Sequence, residues 1–299
     1  MLAEPRGYSK DAPSAVGAVP PQPDPAKSPA AASPTAPPPT TPPPTPPPGP
    51  GPPRARPMRC LVVLPTYNER ENAVPLAREV LAVASSVEVL VVDDNSPDGT
   101  GASVRDEIEA GEARLHLLER PGKLGLGTAY LAGFRAALEG GYDAVVTMDC
   151  DFSHHPRFLP DLLAGMAEHD LMIGSRYVPG GGIANWPLHR RFLSGFANVY
   201  TRALLRLPVR DCTSGFRCYR TEVVRAIDPF DSTASGYSFL EEMCWRAHRA
   251  GFRIGETPIL FEDRVRGQSK INRSEIWRAA WHVLRTALRG RPPSGPSAG

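Results

Sequence analysis

Short apolar segments that stop abruptly at polar, acidic loops alternate along the chain with segments of helical spacing. Residues 60–64 are apolar and stop at a polar stretch that begins at Pro65, and residues 87–92 stop at Asp93. Between them, residues 72–85 carry apolar side chains at helical spacing. This order is typical of a βαβ unit, in which a helix connects two buried parallel strands.

The same alternation continues and predicts an α/β fold built on a doubly wound, mostly parallel sheet. The other predicted strands are 115–118, 144–148, 171–174 and 254–261, and the other predicted helices are 102–110, 127–138, 191–207, 239–250 and 274–289. In open sheets of this kind, ligands bind beyond the carboxyl ends of the strands. The polar loops that follow the strands are therefore where we expect a site.

The N-terminal segment has a different composition. Of the 35 prolines in the chain, 21 precede Met58, and aromatic side chains are almost absent there. Such a segment buries too little apolar surface to offset its ordering entropy, so we predict that residues 1–57 are disordered and rich in polyproline II conformation. The remaining sequence predicts one domain at 58–290 and a disordered tail at 291–299.

Charge and cysteine usage exclude several classes of protein. The formal net charge is +2 at pH 7, so no strong field favours a nucleic acid as the partner. The five cysteines include no Cys-x-x-Cys pair, which indicates reduced and mostly buried thiols. No run approaches the roughly 18 apolar residues that span a bilayer, and no secretion signal is recognisable. We expect a cytoplasmic protein, which is compatible with binding at a membrane surface.

The strongest chemical signal is Asp149-Cys150-Asp151, which follows the predicted strand 144–148. Two carboxylates at the end of a strand can converge on one hard divalent cation such as Mg²⁺ or Mn²⁺. Solvation of the loop or capping of a following helix is the alternative role for Asp151.

Two histidines follow this motif directly. Adjacent side chains point in different directions on a helix or a strand, so we expect His154 and His155 to cap or pack rather than to bind zinc.

Two further loops place polar groups at predicted strand ends. Asp93 and Asp94 begin an acidic loop that could hold the base or ribose of a sugar nucleotide, with helix capping as an equal alternative. Residues 122–127 are rich in glycine and include Lys123, which would let the backbone and this cation approach a phosphate. The glycine spacing fits neither a dinucleotide fingerprint nor a P-loop, which argues against a nicotinamide enzyme and a Walker-type ATPase.

Taken in order, these motifs and later ones resemble those of the family 2 glycosyltransferases, and within that family the dolichol- or polyprenol-phosphate mannose synthases. The matching stretches cover roughly residues 58–290 and begin at Leu64, Val92, Leu124, Met148, Gly174, Thr213, Gly236 and Phe261. The resemblance implies a GT-A fold, in which strand ends of a Rossmann-like sheet hold a nucleoside diphosphate sugar. It also implies inverting transfer of mannose from GDP-mannose to a polyprenyl phosphate, with Mg²⁺ or Mn²⁺ as cofactor.

The resemblance also implies roles for individual residues. Asp149 and Asp151 would hold the metal, Arg176 would lie near the transferred group, and Asp151, Arg176 and Arg264 would act in catalysis. The residues expected to bind the nucleotide sugar are Pro65, Tyr67, Glu69, Asp93, Asp94, Lys123, Asp149, Cys150, Asp151 and Arg176. The residues expected to bind the acceptor phosphate are Arg190, Ser194, Arg264 and Lys270, with Ser269 in the same loop.

Two positions depart from the family pattern. Cys150 stands where alanine is usual, and we expect this change to be tolerated because the residue contributes mainly backbone. Leu240 stands where many members have glutamine, which leaves any polar role of that side chain in doubt.

The chemistry of the reaction agrees with these residue types. A lipid phosphate is already anionic near neutral pH, so no strong general base is required and we assign none to Glu241 or Glu242. The departing diphosphate needs a Lewis acid, and two anionic substrates need cations such as arginine to hold them together. Direct attack at the anomeric carbon inverts it, so an α-linked donor yields a β-mannosyl phospholipid.

The final predicted helix suggests how such an enzyme reaches a lipid. One side of it is apolar and carries Ile276, Trp277, Ala280, Trp281, Leu284 and Leu288, whereas its arginines lie outside this set. The helix is either docked on the core or interfacial, with the enzyme bound to the cytoplasmic face of the membrane. A membrane-protein partner would serve the same purpose.

Two other activities are compatible with parts of the sequence. One is a polyprenyl-phosphate glucosyltransferase that uses UDP-glucose. The other is a non-catalytic, nucleotide-sugar-binding subunit of a membrane complex, but a scaffold has no evident need for the complete set of Asp149, Asp151, Arg176, Arg190 and Arg264.

Overall fold

The computed structural model describes residues 57–234, 236–262 and 273–289, and within the last helix it describes the side chains of residues 279–288. Apart from Pro57, the two segments predicted to be disordered, 1–57 and 291–299, lie outside the described residues, as do Arg264, Ser269 and Lys270. The strands are β1 (Cys60–Thr66), β2 (Val87–Asp93), β3 (Leu115–Glu119), β4 (Ala144–Thr147), β5 (Leu171–Ser175), β6 (Gly182–Ala184), β7 (Arg217–Arg220), β8 (Ile254–Pro258) and β9 (Leu260–Glu262). The α-helices are α1 (Arg70–Leu81), α2 (Thr100–Glu109), α3 (Leu126–Glu139), α4 (Leu159–Ala164), α5 (Leu188–Leu205), α6 (Thr221–Ile227), α7 (Tyr237–Arg249) and α8 (Arg273–Arg289).

Seven strands form one sheet in the order β3-β2-β1-β4-β7-β5-β8. Strands β1 to β4 are parallel, which confirms the predicted α/β fold with a mostly parallel sheet. The chain order reverses between β1 and β4, and a reversal of this kind leaves a crevice at the carboxyl ends of the strands. The predicted site loops open into this crevice.

Strand β7 is antiparallel to both of its neighbours, β4 and β5, and the sequence did not predict it. Its four residues, Arg-Cys-Tyr-Arg, contain no apolar run, and the ladder that forms it comes from distant parts of the chain. This strand carries the chain from the second half of the molecule back to the centre of the sheet.

The prediction of a single strand over residues 254–261 is wrong. The segment forms two strands that are separated at Ile259 and belong to different sheets. Strand β8 pairs with β5 in the large sheet, whereas β9 pairs with β6 in a separate two-stranded sheet. Pro258 has no N–H with which to extend the first ladder, and the backbone N–H and C=O of Ile259 bond to different segments. The side chain of Ile259 is fully buried at this change.

The sheet is buried on both faces, which explains why its first strands read as continuous apolar runs. In β1, Leu61 and Val63 pack into the core under α3, whereas Val62 and Leu64 pack into the core that includes α1. Helix α3 lies close to the strand at Gly133, where an added Cβ would come within 2.5 Å of a Val63 methyl.

Helices α5 and α8 pack together beside α7. The Tyr200 hydroxyl on α5 donates to the carbonyl of Ala280 at 3.1 Å, and Val283 of α8 is buried. Of the predicted apolar set, Trp281 and Leu288 are 65% and 77% exposed, whereas Ala280 and Leu284 are partly buried. Within the described ranges, the structure contains no helix that combines the length and apolar character needed to cross a bilayer.

Candidate active site

The loops that follow β1 and β2 are joined by hydrogen bonds at the edge of the crevice. The Thr66 hydroxyl donates to Asp93 at 2.8 Å, and the backbone N–H of Asp94 donates to the Thr66 carbonyl at 3.0 Å. Further along, the N–H groups of Asn68 and Glu69 donate to hydroxyls of the β2 loop. The two loops therefore form one rigid wall of the crevice.

Both aspartates of the β2 loop are buried, and their carboxylates accept hydrogen bonds that stabilise this wall. Asp93 accepts the Ser96 backbone N–H at 2.9 Å in addition to the Thr66 hydroxyl. Asp94 accepts the backbone N–H groups of Leu124 and Gly125 at 3.1 and 3.3 Å. Their contact with a nucleoside stays a prediction, but their structural role is clear, because each carboxylate holds a loop in place.

Arg120, which the sequence analysis missed, connects the glycine-rich loop to this wall. Its Nε donates to Asp94 at 2.6 Å, and its other nitrogens reach the Thr128 hydroxyl and the Gly125 carbonyl. The guanidinium is buried together with Asp94. A basic residue directly after β3 was the available signal, since it stands at the same edge of a parallel sheet as the other loops.

The glycine-rich loop brings Lys123 to the predicted nucleotide site. Its ammonium lies 4.4 Å from the centroid of the Tyr67 ring, within the range of a cation–π contact. Glu69 accepts a hydrogen bond from the Asn72 amide at 2.8 Å. Pro65 lies at the end of β1, in register with Val92. The structure thus collects the residues predicted from three separate loops at the ends of β1, β2 and β3.

Asp149 and Asp151 follow β4 at the reversal of strand order. Asp149 accepts a hydrogen bond from the Tyr130 hydroxyl at 3.0 Å and keeps a third of its side chain exposed. Asp151 is buried and accepts the N–H and the hydroxyl of Ser153 at 3.0 and 2.5 Å. Between them Cys150 is buried, and burial raises the pKa of its thiol well above the ordinary value.

This pair of carboxylates fits a hard divalent cation that is shared with a substrate. In the part of the chain that the structure describes, no three His, Cys, Asp or Glu side chains converge as a metal cage. Magnesium is typically held by one or two carboxylates and completes its shell with water and substrate phosphates. Asp149 and Asp151 are the residues predicted to supply the protein share of such a set.

The two histidines beside the motif pack and cap, as predicted. His154 is buried between aromatic rings, with Phe216 stacked on it, and its Nδ1 accepts the Asp149 backbone N–H at 3.3 Å. Burial lowers the pKa of His154, so its ring is neutral and suited to accept this bond. His155 caps the short helix that follows by accepting the N–H of Arg157.

Arg176 lies at the carboxyl end of β5 and is held by a buried acid. Its Nε and Nη2 donate to the two oxygens of Asp211, both at 2.7 Å, and Nη2 also reaches the Thr213 hydroxyl. Burial alone would raise the pKa of Asp211, but the charge and hydrogen bonds of Arg176 outweigh it and hold that pKa below its ordinary value. Sequence reasoning missed Asp211, although it lies two residues before the motif that begins at Thr213.

The first turns of α5 carry the predicted acceptor residues that the structure describes. Arg190 stacks on the Trp186 ring at 3.9 Å, and the Ser194 hydroxyl accepts a hydrogen bond from Tyr177 at 2.8 Å. Arg176 lies 6.0 Å from the same Trp186 ring, so the two arginines gather on one indole. Their predicted companions Arg264 and Lys270 are outside the described residues.

The loop at residues 211–215 lies between Asp149 and Arg176. Its Thr213 hydroxyl accepts a hydrogen bond from Arg176, and an added Cβ at Gly215 would lie 3.4 Å from Oδ1 of Asp149. A group bound at the carboxylate pair therefore lies close to the arginine cluster. The arrangement suits a reaction between two anionic substrates, one of which is bound through a metal.

Comparison with known proteins finds similarity to glycosyltransferases. Residues 61–228 match the family described as Glycosyl transferase family 2. A polyprenol monophosphomannose synthase of Mycolicibacterium smegmatis is 47% identical over 78% of this chain and 88% of its own length. An undecaprenyl-phosphate mannosyltransferase of Micrococcus luteus is 46% identical over 78% of this chain and 96% of its own length.

Solved structures share the fold at low sequence identity. Glucosyl-3-phosphoglycerate synthase of Mycobacterium tuberculosis, solved with Mn²⁺, UDP and glucosyl-3-phosphoglycerate, has a TM-score of 0.55 at 20% identity, with 81% of this chain and 82% of that chain covered. A mannosyltransferase of Pyrobaculum calidifontis, solved with GDP-mannose and Mn²⁺, has a TM-score of 0.50 at 18% identity, with 77% and 73% of the two chains covered.

Proposed function

The chain belongs to glycosyltransferase family 2, and we propose that it transfers mannose from GDP-mannose to a polyprenyl phosphate with inversion at the anomeric carbon. The product is a polyprenyl phosphate mannose. Relatives named for this transfer at 46–47% identity support the reaction class and both substrate types. The geometric observation that carries the proposal is the loop at 211–215, which binds Arg176 through Asp211 and Thr213 and passes close to Asp149 at Gly215.

The donor is bound at the ends of β1, β2 and β4. The wall that includes Tyr67, Glu69 and Lys123 takes the nucleoside, and Asp149 and Asp151 hold a divalent cation, Mg²⁺ or Mn²⁺, on the diphosphate. When bound, the metal stabilises the negative charge of the departing nucleotide as a Lewis acid. Asp93 and Asp94 contribute by keeping this wall in shape before the donor arrives.

The acceptor phosphate is bound by the cations of the second half. Arg190 and Ser194 lie one turn apart on α5 and bind the phosphate. The predicted roles of Arg264 and Lys270 concern residues outside the described ranges. Arg176, held by Asp211, stabilises the charge between the two substrates. An arginine that is fixed in advance stabilises a transition state better than a mobile one, because its orientation costs nothing at the moment of reaction.

No side chain has to remove a proton from the acceptor. A phosphate oxygen is the nucleophile and already carries negative charge. The two acids on α7 are engaged elsewhere, since Glu241 accepts from the Thr201 hydroxyl at 3.0 Å and Glu242 binds Arg246. These contacts support the assignment of no general base to either residue.

We propose that the protein binds peripherally to the cytoplasmic face of the membrane through α5 and α8. Apolar side chains recur along one side of α5 at exposures of 59% to 81%, namely Leu188, Phe192, Phe196 and Val199. Helix α5 contains three arginines and no acidic residue. An exposed apolar face bordered by cations suits an anionic bilayer, in which the acceptor resides.

A transfer assay tests the proposed activity. The protein is incubated with a short-chain polyprenyl phosphate and labelled GDP-mannose or UDP-glucose, with Mg²⁺, with Mn²⁺ and with a chelator. We expect a mannolipid to form from GDP-mannose only when metal is present. Transfer of glucose instead would support the glucosyltransferase alternative, and nucleotide binding without any transfer would support a binding subunit or a requirement for a membrane partner.

A further inference from the structure

Trp186 has an indole N–H that finds no hydrogen-bond acceptor among the residues that the structure describes. Its Nε1 is shielded from solvent and has no hydrogen-bond partner in the described part of the chain. A buried donor without an acceptor costs about 1–3 kcal/mol, so native structures contain few of them. A donor of this kind beside a binding site indicates that a ligand completes it.

The surroundings of Trp186 identify the charge of that ligand. The guanidinium of Arg190 stacks 3.9 Å from the ring centroid, and that of Arg176 lies 6.0 Å from it. Asp211 already pairs with Arg176, but two guanidinium groups and an N–H donor around one side chain still favour an oxyanion over a cation. A phosphate is the oxyanion that arginine pairs bind most readily through their planar donor groups.

The position of the ring favours the acceptor phosphate over the donor diphosphate. Trp186 lies two residues before α5, which carries Arg190 and Ser194. On its other side the ring of Phe261 packs edge-on at 5.3 Å, and Phe261 in turn contacts His154 at 5.4 Å. Because His154 adjoins Asp149, Phe261 separates the indole from the metal side of the crevice.

We infer that Trp186 is an acceptor-binding residue, whose Nε1–H donates a hydrogen bond to a phosphate oxygen of the lipid acceptor while its ring face positions Arg190. The inference rests on the proposed function, since it places Trp186 in the acceptor site of that reaction. It explains why a polar atom is buried unpaired here. The same ring also limits the rotamers of Arg190 before the acceptor binds.

Replacement of Trp186 by phenylalanine removes the N–H but keeps an aromatic ring against Arg190 and Phe261. We expect the KM for a short-chain polyprenyl phosphate to rise about 10-fold, as for the loss of a hydrogen bond to a charged group, with kcat and the KM for GDP-mannose within twofold of wild type. Trp186→Leu, which also removes the ring that positions Arg190, should raise the acceptor KM further. Trp245→Phe, at a tryptophan buried in the core on α7, is the matched control and should change neither KM.

Two results in this series would overturn the inference. An unchanged acceptor KM in Trp186→Phe, with a raised melting temperature, would mean that the N–H is simply an unsatisfied group. An equal rise of both KM values would place it on the donor diphosphate instead.

Indole NMR gives a readout that does not depend on turnover. The chain has four tryptophans, and the Nε1–H signal of Trp186 is identified by its absence in Trp186→Phe. We expect a downfield shift of this signal when a short-chain polyprenyl phosphate is added without donor, and a smaller shift with inorganic phosphate. If the enzyme used another sugar, this shift would persist, whereas no shift with either phosphate would contradict the inference.

Discussion

The proposed donor side and the proposed acceptor side of the crevice are built in opposite ways. On the donor side, Asp93 and Asp94 are buried and saturated by hydroxyls, backbone N–H groups and Arg120. On the acceptor side, α5 and α8 expose large apolar side chains, and the indole N–H of Trp186 lacks a partner among the described residues. A site for a soluble nucleotide can be completed within the protein, but a site for a membrane lipid is completed by the lipid and its bilayer.

The largest effect is expected from a change on the donor side. Asp151→Asn keeps the shape of the side chain but removes the charge that binds the metal, and we expect kcat to fall about 10²–10³-fold or more, as when one electrostatic contact to developing charge is lost. Transfer assays at saturating donor measure it. Vesicle binding and the melting temperature serve as controls and should stay near wild type. Activity close to wild type would contradict the metal assignment.

The next largest effect concerns the stability of the donor wall. Arg120→Met leaves Asp94 buried without its cation, which is expected to cost about 3–5 kcal/mol in the free energy of unfolding. Urea unfolding measures it. Arg157→Met is the matched control, because its partner Glu262 is exposed and such surface pairs contribute under about 1 kcal/mol. Equal losses in the two variants would mean that the donor wall is not preorganised by this buried pair.

A pH-dependent effect on the free energy of unfolding is expected between α5 and α7, where the Thr201 hydroxyl of α5 donates a hydrogen bond to Glu241 of α7. Burial raises the pKa of Glu241 to about 7, above its ordinary value of 4.5. The folded state therefore binds more protons than the unfolded state between these values, and stability falls as pH rises from 4.5 to 7. The total loss is at most about 3 kcal/mol.

Glu241→Gln should remove this pH dependence, so that unfolding free energies of variant and wild type diverge above pH 5, in favour of the variant. The neighbouring Glu242 provides a control with the opposite sign. Burial would raise its pKa, but His282 and Arg246 lower it to about 2, so its contribution to stability is lost as pH falls from 4.5 towards 2. A Glu241→Gln profile parallel to wild type would show that Glu241 is charged in the folded protein.

The smallest effect is expected for a single apolar contact with the bilayer. Phe192→Ser removes a side chain that is 77% exposed, and the loss of its burial in lipid, about 1.5–3 kcal/mol, should weaken binding to anionic vesicles roughly 10- to 100-fold. Co-sedimentation measures it, and nucleotide binding should not change. Phe230→Ser, at an aromatic residue outside α5 and α8, is the control. Unaltered vesicle binding by Phe192→Ser would favour a membrane-protein partner.

The sequence was sufficient for the features that depend on local pattern. Apolar runs predicted β1, β2 and β4 within one or two residues, and the acidic loops after them predicted the edge of the sheet where the candidate site lies. The order of motifs predicted the glycosyltransferase family. Burial on both faces makes a parallel strand apolar throughout, and the break in that run marks its carboxyl end.

The sequence was less informative where structure depends on partners far along the chain. It predicted a start for α5 at 191, whereas the helix begins at Leu188, directly after Pro187. It did not predict β7, whose four residues have no periodic pattern, and it joined β8 and β9 into one strand. The boundaries of β7, β8 and β9 depend on which distant segment supplies the hydrogen bonds, whereas the start of α5 is set locally by Pro187.

Only the tertiary structure decided how the charged groups pair and which helix faces are covered. Asp94 meets Arg120 across 26 residues, and Arg176 meets Asp211 across 35. The apolar side of α8 could have docked or faced outward, and its neighbours α5 and α7 cover Val283 but leave Trp281 exposed. Local spacing determines which side chains share a face, but the packing of distant segments determines whether that face is buried, bound to a partner or open to a lipid.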